Sequence, residues 1–340
     1  MKYFKDLIDS SKGGVYVIAE GCDNHMGSLD IAKGMIDSAK DSGADAIKFQ
    51  HHLAEEEMLR NSPMSNNFDE PLFDFLERNA LTLDQHHILK QYCDNAGIEY
   101  LCTPFSYKAA VEIKELVPFF KIGSGEFLDH WFIDQLIKLN KPILLSSGMC
   151  SWQELKENLD YLSSKKCEFA IMNCLSEYPP DYADMNLGVI CKIKKTFPDL
   201  IVGHSDHSNE LFSCISAVSL GAEIIEKHLS LSEFIPGPDQ SVSITPSQFK
   251  ALVNSTKKIK MMLKDEKVVQ KRELEIREWA YRSIISKNDL KTGDVISFED
   301  ICTKRPGIGI PSKEYRNLIG KTVKRDIPRN SIISYSDIDE

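Results

Sequence analysis

Two histidines near the ends of neighbouring apolar runs are the first candidates for chemistry in this sequence. His207 ends the run IVGHSDH, and His228 lies in the next run, EIIEKHLSL. Histidine is the commonest protein ligand for divalent transition metals, and imidazoles at the ends of adjacent strands can reach one ion. The pair predicts an open metal site, with positions left for a carboxylate, water or substrate. A single terminal histidine is more often a hydrogen-bonded structural residue, which is our interpretation of His204.

Two lysines and several hydroxyl groups follow the same pattern and predict an anion site. Lys121 lies inside an otherwise apolar run and is followed by GSG, whose glycines let backbone N–H groups approach an anion. Lys48 also lies near the end of a run, although the ammonium group of a lysine at such a position is usually solvated. Two ammonium groups with nearby hydroxyls suit a phosphate or a carboxylate dianion. The hydroxyl donors are Thr103, Ser124, Ser146 and Ser205.

The elements that position these residues repeat along the chain. The apolar, β-rich runs are, in order, VYVIAE, DAIKFQ, EYLCTPF, FFKIGSGE, PILLSSGM, FAIMNCLSEYP, IVGHSDH and EIIEKHLSL. Their continuous apolar character is typical of a buried parallel sheet, and the segments between them have helical periodicity. Repetition of this unit over about 250 residues predicts a (β/α)8 TIM barrel of the α/β class. An open doubly wound sheet is less favoured, because no GxGxxG follows the first run.

In such a barrel the active site lies at the carboxyl ends of the strands, because the loops that follow them converge there. Polar residues are dense at those ends, where a barrel packed for stability alone would carry Val, Ile and Leu. We therefore expect one polar cavity at this end. Besides the residues above, the strand ends supply Glu20, Gln50, Glu126, Tyr178, Asp206 and Glu226, and Asp239 follows in the last loop.

The composition and periodicity of the sequence change after the last barrel helix. A charged stretch, KDEKVVQKRELEIREWA, is followed by short alternating runs with turns at KTGD and IPRN. We place the barrel at residues 1–255, a linker helix at 256–280, and a small β-rich domain at 281–340.

Composition and charge exclude several classes of protein. The formal net charge of −10 argues against nucleic acid as the main partner. Apolar runs fall short of the roughly 20 residues needed to span a bilayer, and the first residues lack the apolar core of a signal peptide. We therefore expect a cytoplasmic protein that does not bind membranes. The 9 cysteines include no CxxC pair, which predicts reduced packing residues and argues against a structural zinc site.

Taken in order, the motifs resemble those of the sialic acid synthase family, whose members carry a carboxyl-terminal antifreeze-like (SAF) domain. The matching motifs are IAE…NHMGSL, GADAIKFQ, TPFS, KIGSGE, LSSGM, EYP, GHSDH, EKHLSL and PGPD, with YRSIISKNDLKTGDVI and TKRPGIGI in the small domain. Each motif alone has little specificity, but the ordered set covers nearly the whole chain. The resemblance implies a transferase that condenses phosphoenolpyruvate with an N-acylated mannose-type sugar and releases phosphate.

The resemblance also implies roles for the strand-end residues. The implied phosphoenolpyruvate ligands are Lys48, Gln50, Thr103, Lys121, Ser124, Ser146 and Ser205. The implied sugar ligands are Glu20, Tyr178 and Asp239, with Arg305 of the partner subunit reaching into the barrel of a domain-swapped homodimer. His207 and His228 would hold Mn²⁺ or Mg²⁺, which would polarise the aldehyde oxygen of the sugar. The resemblance also places the Glu126 carboxylate near the reacting carbons. As our hypothesis of the mechanism, the catalytic candidates are Glu126, Asp206 and Lys121.

Two stretches depart from the family pattern near the expected sugar site. Gly21, Cys22 and Asp23 stand where small apolar residues are more usual, and His51 and His52 follow KFQ. The sugar therefore stays open between N-acetylmannosamine and the 2,4-diacetamido-2,4,6-trideoxyhexoses that lead to legionaminic or pseudaminic acid. Two other functions also stay open: a metal-dependent aldolase on the same barrel, and a non-catalytic barrel that binds an anionic sugar.

Overall fold

An eight-stranded parallel sheet organises Met1–Lys264, the first of the two units into which the chain divides in our computed structural model. The structure describes residues 2–11, 13–63, 70–235 and 237–339. The strands are β1 (Tyr16–Glu20), β2 (Ala46–His51), β3 (Glu99–Pro104), β4 (Phe120–Ile122), β5 (Ile143–Ser146), β6 (Phe169–Cys174), β7 (Val202–Asp206) and β8 (Ile224–His228). Their order is β3-β2-β1-β8-β7-β6-β5-β4, and the terminal strands β3 and β4 lie side by side. The sheet is therefore a nearly closed barrel, which confirms the predicted fold class.

Helices connect the strands and cover the outside of the barrel. In the described ranges they are α1 (Lys2–Ser10), α2 (Leu29–Ser42), α3 (Ala54–Glu57), α4 (Leu72–Asn79), α5 (Leu83–Ala96), α6 (Tyr107–Ile113), α7 (His130–Ile137), α8 (Trp152–Ser164), α9 (Gly188–Thr196), α10 (Phe212–Ser219) and α11 (Pro246–Met262). The cap residues expected from the sequence are in place in α2, where Ser28 accepts a hydrogen bond from the Ile31 N–H and Gly43 (φ 83°) ends the helix. Within the described part of the chain, each helix is too short or too polar to cross a lipid bilayer.

Alternation along the strands gives the barrel two separate apolar cores. Val17 and Ile47 face outwards and pack in one cluster with helix residues such as Ile36. Ile18, on the opposite face of β1, belongs to an inner cluster that also contains Phe4 of α1. Helix α1, which the sequence did not lead us to expect, therefore fills the amino-terminal end of the barrel. The inner apolar cluster leaves the carboxyl end free for polar residues.

The second unit, Asp265–Glu340, is small and β-rich. It contains α12 (Lys271–Ala280), β9 (Ser283–Ser286), β10 (Ile301–Lys304) and the short α13 (Tyr315–Leu318). Strands β9 and β10 pair in antiparallel fashion, and isolated bridges such as Leu290–Ile327 join other extended segments. Gly293 (φ 90°) and Asn330 (φ 63°) have left-handed backbone in the two turns indicated by the sequence, KTGD and IPRN. The unit has its own apolar core of isoleucine, leucine and valine side chains.

Candidate active site

The carboxyl ends of the barrel strands surround a polar cavity of 680 Å³. Because side chains alternate along a strand, every second residue of each strand points into the barrel. The final inward-facing residues and the loops that follow them form the wall of the cavity. The site residues predicted from the sequence that line it are Glu20, Lys48, Gln50, Thr103, Lys121, Ser124, Glu126, Ser146, Tyr178, Ser205, His207, His228 and Asp239.

Asp206, also predicted as a site residue, lies on the other face of β7 from the cavity. Its carboxylate accepts a hydrogen bond of 2.5 Å from Lys227, the residue beside it on β8. The Sγ atom of Cys214 on α10 is 3.6 Å from the same carboxylate, so Asp206 faces the helices. Burial alone would raise the pKa of Asp206, but Lys227 outweighs it and lowers the pKa to about 2. The geometry gives Asp206 a structural ion pair, and we leave it out of the proposed chemistry.

Arg305, the other predicted residue outside the cavity lining, belongs to the second unit. Its side chain is exposed, its Nε donates a hydrogen bond of 3.1 Å to the Ala280 carbonyl, and its guanidinium lies 5.3 Å from the Trp279 ring centroid. The contact of Arg305 with a partner subunit stays a prediction, because it concerns a dimer.

Two buried lysines converge on one carboxylate in the cavity. Lys48 Nζ lies 3.6 Å from Glu226 Oε2, and Lys121 Nζ lies 3.6 Å from Glu226 Oε1. Ser205 donates a hydrogen bond of 2.9 Å to the same carboxylate. Burial would raise the pKa of Glu226, but Lys121 and Lys48 outweigh it and hold the pKa below its usual value. The carboxylate therefore stays ionised and holds both ammonium groups at the base of the cavity.

The two lysines also contact hydroxyl groups that the sequence assigns to the anion site. Lys48 donates to Thr103 Oγ1 at 3.0 Å and forms an ion pair with Glu20. Lys121 donates to Ser146 Oγ at 2.7 Å. Burial would lower the pKa of Lys48, but the neighbouring carboxylates raise it, whereas burial does lower the pKa of Lys121. The two ammonium groups therefore have different electrostatic environments, although both lysines line the cavity.

Ser124 lies against a glycine that leaves no room for a side chain. The Gly148 N–H donates to Ser124 Oγ at 3.0 Å. A Cβ at position 148 would lie 2.6 Å from Ser124 Oγ and 2.2 Å from Ser176 Oγ. Ser176 Oγ is buried and has no hydrogen-bond partner within the described ranges, although Ser176 lines the cavity. Gly148 thus lets two hydroxyl groups approach each other where a ligand can bind them.

Glu126 lines the cavity and has one carboxylate oxygen without a hydrogen-bond partner in the described part of the chain. Its Oε2 atom is buried and lacks a hydrogen-bond partner among the residues that the structure describes. Burial raises the pKa of Glu126 above its ordinary value. A carboxyl group with a raised pKa and a free oxygen can act as a general acid or base.

Gln50 is oriented by the unusual histidine that follows it. His52 Nε2 lies 2.8 Å from Gln50 Oε1, and His52 Nδ1 lies 2.9 Å from Glu57 Oε1. The imidazole stacks on Phe105, with 4.4 Å between the ring centroids, and its Nε2 lies 3.6 Å from Asp23 Oδ2. Burial would lower the pKa of His52, but Asp23 and Glu57 raise it. Asp23 and His52, two of the residues that differ from the expected motifs, therefore form one polar cluster with Gln50.

The two predicted metal ligands are neighbours at the mouth of the barrel. The rings of His207 and His228 lie 5.3 Å apart, centroid to centroid. His207 Nδ1 donates to the Leu175 carbonyl at 2.7 Å, and the Tyr178 hydroxyl lies 3.1 Å from His207 Nε2. Metal-bound histidines commonly use their second nitrogen in this way, so the geometry of His207 fits a metal ligand.

The second histidine has a carboxylate and a thiol beside it. His228 Nδ1 is buried without a hydrogen-bond partner in the described part of the chain, 3.8 Å from Asp239 Oδ2. Cys22 Sγ lies 2.6 Å from the same Asp239 oxygen. These nitrogen, oxygen and sulfur donors fit a divalent metal ion.

Glu226, Ser176 and Cys22 also line the cavity. From the sequence we expected Glu226 at this end of the barrel and Cys22 near the sugar, without a ligand role for either, and Ser176 was missed. For Glu226 a signal was present, because alternation along IIEKH places it on the same face as His228. Ser176 lies in the loop after β6, where strand alternation no longer predicts direction.

The NeuB family model matches residues 35–268, and the SAF domain model matches residues 281–339. An uncharacterised protein of Methanocaldococcus jannaschii is 35% identical over 326 residues, which cover 95% of this chain and 94% of that protein. The N,N'-diacetyllegionaminic acid synthase of Campylobacter jejuni is 32% identical, with 93% and 98% covered. The N-acetylneuraminic acid (sialic acid) synthetase of Leptospira borgpetersenii, solved in complex with citrate, has a TM-score of 0.71 at 30% identity. That comparison covers 77% of this chain and 90% of that chain.

Proposed function

The chain belongs to the NeuB family, which includes sialic and legionaminic acid synthases, and on this premise we propose that it is a nonulosonic acid synthase. Its substrates would be phosphoenolpyruvate and an N-acylated mannose-type sugar. Its products would be a nine-carbon 2-keto-3-deoxy acid and inorganic phosphate. The enzyme would accordingly be a transferase that forms a carbon–carbon bond.

The convergence of Lys48 and Lys121 at the base of the cavity is the observation that carries this proposal. Both ammonium groups are buried, and they lie on the same carboxylate of Glu226. Phosphoenolpyruvate carries a phosphate and a carboxylate, and charge-assisted hydrogen bonds from lysines are suited to both. The assigned ligands of phosphoenolpyruvate are Lys48, Gln50, Thr103, Lys121, Ser124, Ser146 and Ser205. An aldolase that uses pyruvate would need no phosphate site.

We assign the sugar to the side of the cavity near the two histidines. Tyr178 stacks on His207 with 4.1 Å between ring centroids and is partly exposed, so its hydroxyl lies at the rim. Asp239 and Glu20 offer carboxylate oxygens that can accept hydrogen bonds from sugar hydroxyls or acetamido N–H groups. In a domain-swapped homodimer, Arg305 of the partner subunit would complete this side.

The reaction balances with water as the third reactant. C3 of phosphoenolpyruvate forms a bond to the aldehyde carbon of the open-chain sugar, and the aldehyde oxygen takes a proton to become a hydroxyl. Water adds to C2 and loses a proton. The C2–O bond to phosphate then breaks while the C2 hydroxyl passes its proton to the departing phosphate, which leaves the 2-keto group and inorganic phosphate. Glu126 is the carboxyl group that we assign to proton transfer at these carbons, because it lines the cavity and its Oε2 has no hydrogen-bond partner within the described ranges.

His207 and His228 are the residues that would hold a divalent ion, Mn²⁺ or Mg²⁺. When bound, the ion supplies Lewis-acid polarisation of a carbonyl oxygen. The hydrogen bond from His207 Nδ1 to the Leu175 carbonyl orients the ring for this task. Lys121 and Lys48 meanwhile fix the enol phosphate, so that the two reacting carbons are held together.

A phosphate-release assay tests the proposal directly. The purified protein is incubated with phosphoenolpyruvate, Mn²⁺ or Mg²⁺, and either N-acetylmannosamine or 2,4-diacetamido-2,4,6-trideoxyhexoses of the mannose type. We expect phosphate and keto acid in equal amounts with at least one sugar, and no phosphate without sugar. Keto acid formed from pyruvate without phosphate would indicate the aldolase instead. Sugar binding without any product would indicate a non-catalytic barrel, and either result would overturn the proposal.

A further inference from the structure

Cys22 places a sulfur atom near His228 and Asp239 in the proposed metal site. The side chain is buried, lines the cavity and lies with Sγ 2.6 Å from Asp239 Oδ2. One donor atom from each of Cys22, His228 and Asp239 falls within 4.8 Å of the other two. Bonds of about 2.0–2.3 Å join a divalent ion such as Zn²⁺ to nitrogen, oxygen and sulfur donors. A small movement of these side chains would therefore bring all three donors onto one ion.

The nitrogen of His228 gives an independent indication of a ligand. His228 is 5% exposed, and its Nδ1 has no hydrogen-bond partner among the described residues. The distance from this atom to Asp239 Oδ2 is 3.8 Å, beyond hydrogen-bond reach. Two donors that each bind one ion at about 2.1 Å can be separated by up to about 4.2 Å. The nitrogen and the carboxylate are thus spaced as ligands of a shared ion.

The backbone at Cys22 is held in a conformation that favours glycine. Its φ is 45°, in the left-handed region that few non-glycine residues adopt. The Cys22 N–H donates to Glu20 Oε1 at 2.9 Å, which holds the turn after β1. Residues in such strained conformations cluster at functional sites. The contact between its thiol and Asp239 therefore explains why a cysteine occupies a position that favours glycine.

From these observations we propose that Cys22 is a thiolate ligand of the divalent metal ion, bound together with His228 and Asp239. The inference rests on the proposed function, because it concerns the metal site of that reaction and names its ligands more fully. The thiol proton leaves to solvent when the ion binds. Thiolate favours softer ions such as Zn²⁺ and Co²⁺, whereas Mg²⁺ prefers six oxygen ligands. The site of this chain therefore prefers Co²⁺ or Zn²⁺ to Mg²⁺.

Titration of the full-length protein with Co²⁺ tests the inference without any substrate. A Co²⁺–thiolate bond gives a charge-transfer band in the near ultraviolet, which nitrogen and oxygen ligands alone do not give. We expect the wild-type protein to show this band up to an equimolar amount of Co²⁺, and excess Mg²⁺ to leave it unchanged. Cys22→Gly is the best variant, since glycine accepts the left-handed backbone and the fold is retained. It should lose the band and bind Co²⁺ at least about tenfold more weakly.

Cys191→Ser is the matched control, because Cys191 is an exposed thiol of the same unit. This variant should keep the band at full intensity. Absence of the band in the wild-type protein, or its persistence in Cys22→Gly, would overturn the inference whatever the phosphate-release assay shows. If the band is present but no sugar yields phosphate with Co²⁺, Zn²⁺, Mn²⁺ or Mg²⁺, the metal site stands and the proposed reaction fails.

Discussion

Lys121 on β4 and Glu226 on β8 stand on opposite walls of the barrel, yet Lys121 Nζ lies 3.6 Å from Glu226 Oε1. Lys48 on β2 meets the same carboxylate at 3.6 Å. The desolvation of such buried ion pairs offsets much of their attraction, so they contribute little to stability compared with apolar packing. This agrees with the anion site that we propose, in which Glu226 holds two cations at fixed positions.

Replacing Glu226 with Gln removes the negative charge that both lysines share. Removing one partner of a buried ion pair costs about 3–5 kcal/mol, because an uncompensated charge stays buried. We expect the free energy of unfolding at neutral pH to fall by about 3 kcal/mol, as measured by urea denaturation. Phosphoenolpyruvate should restore part of the loss, since a ligand of the folded state stabilises it.

Glu126→Gln is the control for this experiment. Glu126 lines the same cavity, but its carboxylate forms no ion pair with any described residue. The free energy of unfolding of the Glu126→Gln variant should differ from that of the wild type by less than about 1 kcal/mol. Equal losses in the two variants would contradict the bridging role of Glu226.

Lys121→Ala should separate the two substrates kinetically. A hydrogen bond to a charged group contributes about 1.5–3 kcal/mol, so we expect the KM for phosphoenolpyruvate to rise by about 10- to 100-fold. The KM for the sugar should change little, because Lys121 contacts Ser146 and Glu226 at the base of the cavity. Steady-state phosphate release at varied concentrations of each substrate measures both values. Lys108→Ala, an exposed lysine paired with Glu56, is the control, and a matching rise in both KM values for Lys121→Ala would refute the assignment.

Gly148→Ala tests the contact between Gly148 and two serine hydroxyls, and Gly188→Ala, a glycine outside the cavity lining, is its control. A Cβ at position 148 would lie 2.2 Å from Ser176 Oγ and 2.6 Å from Ser124 Oγ, whereas one at position 188 would meet nothing within 4 Å. We expect Gly148→Ala to displace both hydroxyls, raise the KM for phosphoenolpyruvate by about tenfold and destabilise the fold by about 1–3 kcal/mol. Gly188→Ala should leave the KM unchanged and should not destabilise the fold. Identical kinetics for the two variants would show that the serine hydroxyls do not contact the substrate.

The barrel could be predicted because its strands are continuous apolar runs separated by periodic helices. The strand ends were predicted less well, since β4 stops at Ile122 and β6 stops at Cys174. Ser124 and Tyr178 therefore belong to loops, and loop direction does not follow from strand alternation. Helix α1 was also missed, because Phe4 is completely buried only through contacts with the distant barrel interior.

Part of what was missed in the site was nevertheless encoded locally. Alternation along β7 places Ser205 and His207 on the cavity side and Asp206 on the helix side, where Lys227 meets it. The contact between Lys121 and Glu226 could not be predicted from alternation along a single strand. It depends on closure of the barrel, which brings residues from opposite walls together.

Subunit exchange tests whether Arg305 acts across a dimer. Arg305→Ala and Lys121→Ala proteins should each be poorly active, while their mixture should regain activity. In a mixed dimer one barrel keeps Lys121 and receives an intact Arg305, so random exchange would restore about a quarter of wild-type activity. Arg316→Ala, another arginine of the second unit, should be active alone. A mixture that stays inactive after exchange is verified by mass tagging would count against the domain-swapped arrangement.

The pair formed by Asp206 and Lys227 should give the protein a specific response to acid. The folded-state pKa of Asp206 is about 2, compared with about 3.9 in an unfolded chain. A carboxyl group with a lowered pKa stabilises the fold above its unfolded pKa, and this contribution is lost as pH falls through the folded pKa. The shift corresponds to roughly 2–3 kcal/mol, lost between about pH 4 and pH 2.

Asp206→Asn removes this contribution at every pH. We expect the difference in the free energy of unfolding between wild type and variant to be constant above about pH 5 and to shrink by roughly 2–3 kcal/mol towards pH 2. Urea denaturation across this pH range measures it, with Asp134→Asn, which breaks an exposed pair with Lys165, as a control of smaller effect. Because Asp206 faces the helices, the KM for phosphoenolpyruvate should stay unchanged at neutral pH. A stability difference that is independent of pH would contradict the lowered pKa of Asp206, and a large rise in this KM would show that Asp206 acts in the cavity.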